Sequence, residues 1–143
     1  ISIVLLCIYV YLINFGIEVS LCINNASCTA FKISDFSDRM ASSLALIGGL
    51  VSALVVAELA VTKPGEVPAT RLINTNLPVK VQNLTKIVTG VYLLVWLLGG
   101  LEAFFFGYLQ APQNGIPALA DLGQSWLGIA VGAGYAYFGI KPE

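Results

Sequence analysis

Four long apolar runs, separated by polar and breaker-rich connections, organise the chain. They cover about residues 1–17, 40–62, 87–108 and 119–140. In the first run Asn14 is the sole strongly polar side chain before Glu18. About 20 apolar residues in helical form cross the ~30 Å hydrocarbon core of a bilayer. Runs of this length predict an all-α integral membrane protein, four transmembrane helices forming one transmembrane domain over residues 1–143. The first run starts at Ile1 without a basic flank. Val19-Ser20-Leu21 before Cys22 is a poor cleavage site, so it reads as a retained span and not as a signal peptide.

The connections set an orientation. The stretch 63–86 carries Lys63, Arg71, Lys80 and Lys86. The first connection, 20–39, has Lys32 and Arg39 offset by Asp35 and Asp38, and the last, 109–118, has no basic residue. Basic residues beside spans stay on the cytoplasmic side. This predicts a cytoplasmic middle loop with both termini on the same side. Pro64-Gly65, Pro68, Asn74, Asn76 and Pro78 make that loop rich in helix breakers, and Leu77 to Val81 reads as a short strand or a headgroup-lying stretch. Lys63-Pro64-Gly65-Glu66 after the second run echoes Lys141-Pro142-Glu143 after the fourth. Lys followed by Pro is an ordinary stop for a spanning helix, and that reading outweighs an internal duplication.

Composition sharpens this picture. Hydrophobic residues make up 57% of the chain, with 14 glycines besides, where soluble domains have about 45–50% with their glycines included. Charged residues are 10% against about 25%, which leaves too little polar surface for a water-soluble globule. A net charge of −1 gives no basic footprint for nucleic acid. With no histidine, the chain lacks imidazole for haem or metal ligation and for a Ser-His or Cys-His pair. Three cysteines do not complete a four-thiolate site. No cofactor, metal or catalytic residue is assigned.

Helices in lipid associate largely through close backbone approach at small residues. The second run presents Ala45, Gly49, Ala53 and Ala57 at a spacing of four; the fourth presents Gly128, Gly132 and Ala136; the third has Gly99-Gly100 and Gly107. These stripes fit packing within the chain, the second helix on the fourth, or contact with a second copy or a foreign subunit. Tyr92, Trp96, Phe104 to Phe106, Trp126 and Tyr135 to Phe138 read as interfacial aromatic belts.

Among polar positions Glu102 stands out, the sixteenth residue of its run and roughly 9 Å from the outer end at the helical rise. An acid at that depth must be protonated, paired or hydrated, and is a functional candidate by default. Conduction, docking of a basic partner and simple burial are the three readings. Glu58 lies four residues before Thr62, where Lys63 can neutralise it. It sits too far in depth from Glu102 to form an acid pair, with Ser52 and Thr89 as sparse relay candidates. Glu18 and Asp121 fall at outer helix ends. Cys22 and Cys28 flank Asn25-Ala26-Ser27 on the outer connection, where an oxidising compartment closes a disulfide. Cys7 reads as a small core residue, and Asn25 and Asn83 head formal glycosylation sequons.

The function this predicts is a non-enzymatic polytopic subunit, an accessory or scaffolding component of a larger membrane complex. Its partners are the bilayer and other membrane subunits or copies of itself. The alternative is a homo-oligomeric channel, transporter or holin-like pore that uses Glu102.

Overall fold

The computed structural model describes residues 1–61, 78–110 and 115–138. These form α1 (Ser2–Asn24), α2 (Asp38–Val61), α3 (Val79–Phe104) and α4 (Pro117–Phe138). A 3₁₀ turn covers Ile33–Asp35, and a π-helical turn, Phe105–Gln110, continues α3. Among the described residues three stretches are long and apolar enough to cross a membrane: Ser2–Asn24, Asp38–Leu59 and Val79–Gln110. The fourth helix is as long as a span, yet it falls outside this set. Asp121, Gln124 and Ser125 occupy its first half, and four glycines stand where the other helices carry leucine or valine.

Local chemistry sets the boundaries. Ser37 caps α2: its hydroxyl accepts from the Met40 amide at 3.4 Å and its carbonyl from Ala41 at 3.0 Å. Pro78 opens α3, its carbonyl accepting from the amides of Val81 and Gln82. Pro117 takes the first position of α4, where a missing N–H costs nothing. The helix over 79–86 corrects the expectation of loop there, and Val79 to Val81 are helical, not a strand. The rest of the 63–86 loop, with Lys63 and Arg71, lies outside the described residues. The α1 helix runs to Asn24, past the expected end at Ile17, with Val19, Ser20 and Cys22 buried on the added turns.

Glycine contacts fix how the helices lie. A Cβ on Gly107 would stand 2.9 Å from the Leu119 carbonyl carbon, and one on Gly123 would stand 2.5 Å from the Phe104 Cα. Gly100 lies directly under the indole of Trp126. These three pairs run in opposite senses along the two helices, so α4 is antiparallel to α3 and shares its depth. Gly48 of α2 faces Leu122 of α4, and Tyr9 of α1 packs its ring against both Gly48 and Gly99. Both α1 and α4 pack against α2 and α3, while the α1–α4 and α2–α3 pairs meet at few points. The helices therefore form a square with α1 and α4 at opposite corners. Trp96 bridges the α2–α3 diagonal, its indole N–H donating to the Ser52 hydroxyl at 3.0 Å. Its ring lies 5.9 Å from that of Trp126. Both tryptophans are buried, which corrects their reading as interfacial belt residues.

The connection between α1 and α2 folds back on α1. Phe31 meets Phe15 edge-on at 5.8 Å, and Phe36 stacks on Phe15 at 6.3 Å while covering Gly16. Phe36 is buried although it lies in a connection.

Candidate functional site: an intramembrane acid and two outward small-residue faces

Ala45, Gly49, Ala53 and Ala57 all lie on the outer surface of α2, and Gly128 and Gly132 on that of α4. A Cβ added at Gly49, Gly128 or Gly132 would meet nothing within 4 Å. The side chain of Ala136 lies outside the described residues. The stripes therefore do not pack the second helix on the fourth. The glycines that close the bundle are Gly48, Gly99, Gly100, Gly107 and Gly123. Gly48 is one residue off the α2 stripe, a shift of 100° that turns it inward.

Between α2 and α4, which run parallel, lies a groove of about 340 Å³ lined by Ala45, Gly49, Ser52, Asp121, Ser125 and Trp126 among others. On the exposed face of α4, Asp121, Gln124, Ser125, Gly128 and Gly132 recur at helical spacing. Large apolar side chains are what lipid favours at such positions. Leu46, Leu50 and Leu54 of α2 and Leu94, Leu97, Leu98 and Leu101 of α3 have that character.

Glu102 lies on the outer surface of α3, one turn beyond Gly99. Because Gly99 receives the Tyr9 ring, Glu102 sits on the α1 side of α3. Tyr9 is fully buried, and its hydroxyl has no hydrogen-bond partner among the described residues. Glu58 is half-buried near the end of α2. From the Ser52–Trp96 register it lies roughly 18 Å in depth from Glu102, and the structure does not bring the two acids together. Ser52 is engaged by Trp96 as a structural acceptor. Thr89 is half-buried on α3.

Cys22 and Cys28 form a disulfide with their Cα atoms 5.2 Å apart. Inside that loop the Asn25 side-chain oxygen accepts from the Ser27 amide at 3.1 Å and the Ser27 hydroxyl at 2.7 Å. Asn83 is helical, in the second turn of α3. Cys7 is exposed on α1, which corrects its reading as a core residue.

Sequence reasoning missed Tyr9, whose ring fills the space between Gly48 and Gly99 with its hydroxyl buried. The residues alone gave no signal for it, since Tyr11, two positions on, is exposed. No family model, curated protein or solved structure matches this chain.

Proposed function

We propose that this protein is a non-enzymatic polytopic subunit, an accessory or scaffolding component of a larger membrane assembly, with all four helices crossing the bilayer. The observation that carries the reading is the outward, unfilled placement of the α2 and α4 small-residue faces. A lipid-facing stripe of alanine and glycine forgoes apolar contact with acyl chains, whereas a foreign helix gains close backbone approach there. Support for a spanning α4 comes from its antiparallel contact with α3 between Gly107–Leu119 and Gly100–Trp126. A helix held along a spanning helix shares its depth. Its polar face is tolerable there when another protein covers it. The middle loop and both termini are assigned to the cytoplasmic side by the distribution of basic residues.

The test is recovery of the native assembly with Gly49→Leu and Gly132→Leu, both open positions. The expected result is an unchanged unfolding midpoint of the isolated chain and a roughly tenfold loss of co-purifying chains. Gly90→Leu, at another open position, serves as the control. Unchanged recovery would remove the reading. The second reading, a homo-oligomeric channel or transporter, draws on the outward position of Glu102, which a ring of copies would turn to a common axis. It requires Glu102→Gln to alter ion or proton flux in liposomes.

A further inference from the structure

We propose that the groove between α2 and α4 is a binding site for a phospholipid with a primary-amine headgroup. This rests on the reading that α4 lies in the bilayer beside α3, and it adds a ligand to that reading. The Gly48–Leu122 contact sets the register of the two parallel helices and puts Ser52 level with Trp126. Asp121 marks the end of the groove nearest the helix starts at Asp38 and Pro117. Ser125 lies one turn deeper, within a residue of the level of Ser52 and about 6 Å below Asp121 at the helical rise. Ile129 follows a further turn in. From its mouth inward the groove thus offers a carboxylate, then two hydroxyls at one depth, then hydrocarbon, over a floor of Leu122 and Trp126.

These polar groups have capacity left for a ligand. Ser52 is 4% exposed. Its oxygen accepts from the Trp96 indole, and its own proton meets no acceptor among the described residues. Burying a donor without an acceptor is unfavourable. Asp121 and Ser125 are exposed on the groove and make no side-chain hydrogen bond or ion pair among the described residues. The spacing matches the head of a glycerophospholipid, with its ammonium at the top, its ester carbonyls below and its acyl chains running on toward the bilayer centre. The Asp121 carboxylate accepts from the ammonium in a charge-assisted hydrogen bond. The Ser52 and Ser125 hydroxyls donate to the ester carbonyls.

Size and charge select the occupant. The groove holds about 340 Å³, within the range of about 300–1,000 Å³ for small-molecule sites. A helix about 10–12 Å across is too wide to enter it. Phosphatidylglycerol would bring negative charge to Asp121 with no cation to offset it, and the phosphatidylcholine ammonium has no N–H to donate. A primary amine supplies both the charge and the donor. Ala53, Ala57 and Gly132 lie beyond the groove lining, so a lipid seated here leaves that part of the two faces open to a partner helix.

The experiment reconstitutes the full-length chain in phosphatidylcholine vesicles and titrates in phosphatidylethanolamine brominated on its acyl chains, a contact quencher of tryptophan. Trp126 lines the groove, Trp96 lies 5.9 Å from it, and the chain has no other tryptophan. Quenching is expected at an about tenfold lower mole fraction than with brominated phosphatidylcholine. Asp121→Asn should make the two lipids equal without moving the phosphatidylcholine curve or the unfolding midpoint. Ser125→Ala should narrow the preference severalfold. Equal curves for the unsubstituted chain, a preference that survives Asp121→Asn, or tighter binding of brominated phosphatidylglycerol would overturn the proposal and leave the subunit reading standing. Absence of quenching by all three lipids would take α4 out of the bilayer, and this inference with it.

Discussion

Glycine does two opposite jobs in this protein, and substitution separates them. At Gly123 an added methyl would meet backbone atoms of Phe104, its Cα at 2.5 Å and its nitrogen at 2.7 Å. Backbone cannot rotate away, so α3 and α4 must part. At Gly100 the obstacle is the Trp126 indole, itself held against Trp96. Overpacking of this kind costs about 1–3 kcal/mol. At Gly132 nothing lies within 4 Å, and alanine there gains about 1 kcal/mol of helix propensity. Gly123→Ala is therefore expected to lower the unfolding midpoint of the isolated chain in denaturant titrations, Gly100→Ala to lower it less, and Gly132→Ala to leave it unchanged or raise it. Equal effects at all three would mean that these glycines do not distinguish inside from outside.

At the scale of elements, the connection between α1 and α2 is tied down at both ends by chemistry that differs from the helices it joins. The Lys32 amide donates to the Asp35 carboxylate at 2.7 Å, the Phe15–Phe31–Phe36 cluster closes over Gly16, and the disulfide staples the end of α1. Loop-closure entropy for so short a ring is worth about 2 kcal/mol. Peptide mapping without reductant should recover Cys22 and Cys28 in one linked fragment, and Cys28→Ser should lower stability by about that amount. Free thiols at both positions in protein from an oxidising compartment would contradict this arrangement. The apolar runs of α1, α2 and α3 were legible because length and hydropathy alone define a span. The start of α3 at Val79 was not, since Lys80, Gln82, Asn83 and Lys86 look like loop to a hydropathy reading. The relevant signal was helical: Pro78 is the last breaker before Gly90. Which small residues face inward was hidden for another reason. Ala45, Gly49, Ala53 and Ala57 satisfy the spacing rule perfectly well, but rotation about the helix axis is fixed by Tyr9, Leu122 and Trp126 on other helices.

For the molecule as a whole, orientation and assembly follow from different parts of the surface. The distribution of basic residues predicts a cytoplasmic middle loop, so in a Cys7→Ser background a cysteine at Asn114 is expected to react with an impermeant maleimide on intact cells. One at Thr75 should react after permeabilisation. Strong labelling at Thr75 with none at Asn114 would reverse the topology. On the proposed subunit reading, assembly uses the outward small-residue faces of α2 and α4. The most direct measurement is the mass of the intact particle released from native membranes, read by native mass spectrometry. The account predicts a discrete species in which this 15.2 kDa chain is joined, in fixed ratio, to at least one different polytopic chain. A series made solely of multiples of 15.2 kDa, or the free chain alone, would contradict it.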